Sequence, residues 1–412
     1  MEKLLKKKIN YVSENPIRAV VFLHSFLFFS ILFFVLLYFH GDLISTVWAS
    51  FKNDSWKFIR NTIEIENPPY PYHLITTSFH FFPLYIIFST IFQPNLSLTL
   101  SVILIQYTFS LLTVILVFQI YKDSFDVNNG HLILFIWIID TTVFSLFFIS
   151  ATAEILFIFY QTLTWFLFMR KKYFFSSITL GMTLALRFNG FFFVFGFLVI
   201  IFSLLIKNRK EIISNKFKML LFSFYLFFSF ITSIIPFIYS LLVANDFFLP
   251  FNSEFNAYST WETYIVNNQI IMVPFTFWIN YISWVITTNG FIEYLLFTAA
   301  LITFFLGLCS IIVLYRFRKQ VIIEKVTKID FLLILALINF LGVNTIVSGR
   351  NFSRFLSFTF PIYPIVLYLI LKLQLNNKRH FLLGILFFGF AIILNFVWWL
   401  NIDFCGICVH NF

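Results

Sequence analysis

Several side chains in this sequence have the type and spacing to act on a charged, hydroxyl-bearing substrate. Asp54 stands in the stretch Asn53-Asp-Ser-Trp-Lys-Phe58, and its carboxylate can take a proton from a hydroxyl. A carboxylate is a weak base, so that role needs partial burial or a constrained hydrogen bond; the other reading is a solvated loop Asp. Glu154 closes Ala151-Thr-Ala-Glu154, and Arg187 opens Arg187-Phe-Asn189-Gly190. Those two charges either meet a polar substrate together with Asn189 or pair with each other across two helix ends. Arg350 and Arg354 lie four apart in Gly349-Arg350-Asn-Phe-Ser-Arg354, on one face of a helix start. Their planar guanidinium forks match phosphate oxygens, although arginines at such places also anchor helices at a membrane interface. Tyr72, His73, His80, Trp261 and Glu262 are further candidate polar contacts, with interface anchoring the stronger reading for each aromatic one. Cys405-Gly-Ile-Cys408, with His410 nearby, reads as a local disulfide or two idle thiols, since no second Cys/His pair accompanies it.

The elements that must position these residues are apolar. Of 412 residues 60% are hydrophobic, 65 are Phe and 11% are charged, against about 25% charged in soluble domains. Mean hydropathy is +0.91. Membrane lipid is the solvent such a chain requires. The net charge of +10 does not make a nucleic-acid binder, because the Lys and Arg fall in short clusters between apolar runs and form no continuous basic face.

The expected fold is all-α and polytopic. After Lys3 and Lys6 to Lys8, the apolar run from Arg18 to Phe39 is too long for a signal-peptide core and has no small-residue cleavage site, so it reads as a retained first span. Further runs cover about 97–121, 131–149, 152–169, 173–186, 190–206, 218–243, 291–315, 330–347, 356–373 and 381–400. The long stretch 173–206 divides at Arg187-Phe-Asn189-Gly190, because Asn-Gly is a turn signal and a lone Arg at bilayer depth is costly. Run 79–92 carries Pro83 and is followed by Pro94; its length fits a re-entrant or interfacial segment.

Charge supplies the sidedness. With the N-terminus (1–17) cytoplasmic and 79–92 not crossing, the clusters Arg170-Lys171-Lys172, Lys207 to Lys218, Arg316 to Lys328 and Lys372 to Arg379 all fall inside, as the positive-inside rule requires. The expectation is therefore eleven transmembrane helices plus one re-entrant segment, forming one membrane-embedded domain over 1–412. Loops 40–78 and 244–290 then lie on the non-cytoplasmic side, as do Asp54, Glu154, Arg187, Arg350 and Arg354.

The order of local motifs resembles the PIG-V-like GPI mannosyltransferases, within the GT-C superfamily of membrane glycosyltransferases. Asp54-Ser55 is similar to the acidic motif that follows the first span in that family, and His80-Phe81-Phe82-Pro83-Leu84-Tyr85 to the segment after it. Phe147-Phe-Ile-Ser150-Ala-Thr-Ala-Glu154-Ile-Leu-Phe157 resembles the family's Glu-bearing turn, Arg187-Phe-Asn189-Gly190 its Arg-x-Asn-Gly turn, and Arg354-Phe355 with Phe360-Pro361 its late Arg motif. Asn53 replaces the family's Trp, Phe58 its Tyr, and Ala153 a hydroxyl residue.

That resemblance implies a GT-C-like fold and transfer of a hexose, mannose in the nearest cases, from a polyprenyl-phosphate donor to a glycolipid or glycan acceptor. Asp54 would be the catalytic base. Glu154, Arg187, Asn189, Arg350, Arg354, His80 and Tyr85 would bind substrate. GT-C enzymes include some that use a divalent metal near the catalytic acid and others that do not, and no Asp-Asp or Asp-Glu pair at Asp54 selects between them. The active face would be the cell exterior, with the chain in the plasma membrane, in a prokaryote, or the ER lumen in a eukaryote. A multi-pass transporter or flippase is the rival reading, against which stands the lack of an internal repeat between the two halves. A non-catalytic subunit with a decayed GT-C fold is a third.

Overall fold

The computed structural model describes residues 15–38, 41, 98–125, 127–142, 154–186, 190–207, 216–248, 286, 291–318, 333–338, 340–341, 379, 382–386 and 389. The regular structure among them is helical, with no strand. The longer helices are α1 (Pro16–Tyr38), α2 (Leu98–Ser124), α3 (Asn129–Thr142), α4 (Glu154–Met169), α5 (Tyr173–Leu186), α6 (Gly190–Lys207), α7 (Lys216–Ser233), α8 (Ile235–Ala244) and α9 (Phe291–Arg318). Two stretches, Pro16–Leu37 and Leu100–Ser124, are long and apolar enough to cross a membrane. At 1.5 Å per residue they rise about 33 and 38 Å, against about 30 Å of hydrocarbon. Helices α3, α4 and α5 rise only about 21–24 Å.

The helix ends have local causes. Asn128 Oδ1 accepts the His131 amide at 2.8 Å and caps the start of α3. At the end of α4, Lys171 sits at φ 59, its N–H reaches Phe168 O at 3.0 Å and the Lys172 N–H reaches Leu167 O at 2.9 Å. This is a Schellman turn closed by a lysine instead of a glycine, and it reverses the chain within the Arg170-Lys171-Lys172 cluster. Helix α5 ends at Leu186 and α6 begins at Gly190, so the apolar stretch 173–206 divides where the Asn-Gly signal placed the division. A side chain at Gly190 would strike the Thr183 carbonyl. The run expected as one segment over 218–243 is two helices, α7 and α8, with Ile234 still in right-handed helical conformation at their junction. Pro236, in the first turn of α8, supplies no N–H and crowds the preceding turn, which interrupts the hydrogen-bond ladder without reversing the chain.

The chain divides into two compact units: Met1–Thr62 with Tyr85–Thr162 and Val366–Phe412, and Ile63–Leu84 with Leu163–Ile365. In the first, α1, α2 and α3 pack pairwise. Val20, His24, Leu27, Phe28, Ile31 and Val35 are buried on α1, while Phe22, Phe26, Phe29 and Phe33 are more than half exposed. The polar side chains Gln106, Ser110, Thr113, Asp140, Thr141 and Glu154 are buried too. Polar groups inside and phenylalanines outside reverse the arrangement of a water-facing surface.

In the second unit α5 packs along α7 and against α6. Its aromatic core has Trp165 edge-on to Phe197 at 5.9 Å and Phe168 edge-on to Phe197 at 5.4 Å. The α5–α7 approach is close at Gly181, where an added Cβ would stand 2.8 Å from Thr232 Cβ and collide with Thr232 Oγ1 and Ser229 O.

Candidate functional site

The densest polar constellation among the described residues joins α1, α2 and α3. His24 lies on the inward stripe of α1, one turn from Val20 and Phe28. Its Nδ1 is 2.9 and 2.8 Å from the two carboxylate oxygens of Asp140 on α3, and its Nε2 is 2.9 Å from Ser110 Oγ on α2. All three residues are enclosed: His24 and Ser110 have no exposed surface and Asp140 has 1%. Beside them Ser25 donates to Val21 O at 2.7 Å. Its single hydroxyl proton being used, it accepts from the Tyr107 hydroxyl, also at 2.7 Å. The Tyr107 ring stands 6.0 Å from the His24 ring and edge-on to Phe28 at 5.1 Å.

Ser110 Oγ also lies 3.0 Å from the Tyr107 carbonyl, which accepts from it, and the tautomer of His24 sets the direction of its bond to Ser110.

Asp, His and Ser in this order are the groups of an acyl-transfer triad, but the arrangement does not work as one. Ser110 is twelve residues inside α2, where backbone N–H groups are committed to the helix ladder and cannot form an oxyanion hole. What the network can do is hold a proton and tie three helices together.

Glu154 opens α4 and is fully buried, at the helix end where a negative charge is favoured by the macrodipole. Asp54, His80, Tyr85, Arg187, Asn189, Arg350 and Arg354 lie outside the described residues, as do the 79–92 segment and Cys405 to Cys408. Of the site residues expected from the motifs, the structure therefore locates Glu154. No three His, Cys, Asp or Glu side chains converge as a metal site among the described residues.

His24, Ser110 and Asp140 escape a motif-led reading. The available signal is that His24 and Asp140 are ionisable groups inside the apolar runs 18–39 and 131–149, away from Arg18 and His131 at the ends of those runs. Such residues at bilayer depth cost about 2.5–3.5 kcal/mol for Asp on insertion scales and mark function more often than charges at turns do. No family model, curated protein or solved structure matches this chain.

Proposed function

We propose that the chain is a multi-pass membrane glycosyltransferase with eleven spans and one re-entrant segment. It moves a hexose, mannose by resemblance, from a polyprenyl-phosphate donor to a glycolipid or glycan acceptor on the non-cytoplasmic face. The observation that carries the reading is the hairpin of α4 and α5. Glu154 opens α4, the Schellman turn follows Met169, and α5 ends at Leu186, next in sequence to the Arg187-Phe-Asn189-Gly190 motif.

In this reading the Asp54 carboxylate takes the acceptor hydroxyl proton as the acceptor oxygen bonds to the anomeric carbon. The bond from that carbon to the phosphate oxygen breaks on the opposite face, inverting the centre and releasing polyprenyl phosphate. Negative charge grows on the phosphate, and Arg187, Arg350 and Arg354 stabilise it. Glu154, Asn189, His80 and Tyr85 hold sugar hydroxyls or phosphate. A divalent ion, if the enzyme uses one, would neutralise the same phosphate.

A transporter or flippase is the second reading, and the buried His24–Asp140 pair favours it, since intramembrane ionisable groups line proton and substrate paths. Reconstituted protein with a polyprenyl-phosphate hexose and membrane acceptor lipids separates the two. The transferase reading expects product with the wild type and a loss of at least about 100-fold for Asp54→Asn, the scale of removing a general base. Translocation of lipid without transfer, equal in both proteins, overturns it.

A further inference from the structure

We infer that the groove between α5 and α7 binds an anionic phospholipid, with the Arg170-Lys171-Lys172 turn holding the phosphate head and the groove taking an acyl chain. The inference rests on the membrane-embedded reading proposed above and is independent of hexose transfer. Five rings line the groove: Tyr173 and Phe174 on α5, and Phe224, Tyr225 and Phe228 on α7. Its volume is about 250 Å³, above the ~150 Å³ of an apolar cavity that admits benzene. Phe174 and Phe228 stand edge-on at 4.8 Å and join its two walls, while Phe174 and Phe224 are each about half exposed. Tyr225 is buried and its hydroxyl lies 3.1 Å from Ser176 Oγ, which leaves ring carbon as what it offers to the groove.

The charge at one end of this groove selects the lipid. Lys172 directly precedes Tyr173, so the basic turn and the α5 wall are contiguous. The Schellman bonds of Lys171 and Lys172 fix the turn. Arg170, Lys171 and Lys172 are all exposed, with the Arg170 guanidinium 5.3 Å over the Phe166 ring. Ser176 meets Tyr225, Ser177 meets Ser229 and Gly181 approaches Thr232, so α7 runs in the same direction as α5. Lys216 and Lys218, at the start of α7, therefore precede the groove as the basic turn does. Arg and Lys bind phosphate oxygens, and basic pockets between helices on the cytoplasmic side take anionic lipid heads. A zwitterionic head brings its own cation to the same place and gains less, and a free phosphate would use the turn while leaving the groove empty. The turn is cytoplasmic in the positive-inside reading, facing the leaflet in which anionic lipids gather.

The test titrates phosphatidylglycerol or phosphatidylcholine onto the full chain purified in detergent and counts bound lipid by native mass spectrometry. Wild type is expected to bind phosphatidylglycerol more tightly than phosphatidylcholine. Lys171→Asn/Lys172→Gln, in which Asn tolerates the positive φ of residue 171, should weaken phosphatidylglycerol binding about 25-fold, about fivefold for each lysine, and leave phosphatidylcholine unchanged. Phe224→Ala should weaken both lipids and keep the preference. Equal binding of the two lipids by wild type, or a preference that survives loss of both lysines, overturns the proposal. Phosphatidylglycerol with a photoreactive diazirine in its acyl chain gives an answer in wild type alone: label on Tyr173, Phe174, Phe224 or Phe228 supports the groove, and label confined to other helices refutes it. A chain that alkaline carbonate strips from membranes refutes the membrane reading along with the site, whereas a chain that stays embedded without the preference refutes the site alone.

Discussion

The two units solve the problem of enclosing polar groups in different ways. In the second unit the buried polar side chains are mostly hydroxyls, and several lean on their own helix. Ser229 donates to Tyr225 O at 2.8 Å, Thr232 to Phe228 O at 2.8 Å and Thr183 to Leu180 O at 2.6 Å. Among the described residues the links between helices are neutral: Thr164 to Thr179 at 2.9 Å, Ser176 to Thr164 O at 3.0 Å, Ser176 with the Tyr225 hydroxyl at 3.1 Å and Ser229 to Ser177 O at 3.1 Å. Ser177 and Gly181, four apart, let α7 approach closely, the small-residue packing that serves helices in lipid. The first unit instead encloses a histidine and a carboxylate contributed by different helices and bonded to each other. Hydroxyl seams pack helices at little electrostatic cost. A charge pair adds a titratable group that packing alone does not require.

That contrast can be broken from either side. Asp140→Leu leaves His24 enclosed with its acceptor removed and should destabilise the chain by about 3–5 kcal/mol, as removal of one partner from a buried pair does; denaturant unfolding in lipid nanodiscs measures it. In the second unit Gly181→Val forces α5 away from Thr232 and Ser229, and overpacking of this kind should cost about 1–3 kcal/mol in the same assay. A Gly181 effect exceeding that of Asp140 would mean that close packing, and not charge pairing, dominates the fold.

Much of the helical layout was legible in the sequence because apolar runs and their punctuation are local. Helices α2, α5 and α6 start and stop within about three residues of the runs 97–121, 173–186 and 190–206. The Arg187-Asn189-Gly190 break was readable from one dipeptide and one costly Arg. The α7–α8 interruption was written in Pro236, yet the apolar run across it is continuous, and hydropathy does not register a missing N–H. The His24–Asp140 contact was not legible. It joins residues 116 apart, and only packing of three helices brings them together. The motif residues around Asp54 and Arg350, by contrast, were readable as types in an order, and the described structure reaches that set at Glu154.

A pair of double-mutant cycles tests the contrast most directly: His24→Leu with Asp140→Leu in the first unit, and Thr164→Val with Thr179→Val in the second. The coupling energy between His24 and Asp140 should exceed about 1.5 kcal/mol, the lower range for close charge pairs, while that between Thr164 and Thr179 should stay near about 0.6 kcal/mol, the mean for hydrogen bonds between membrane helices. Equal couplings would contradict the assignment of the first unit's network to anything beyond packing.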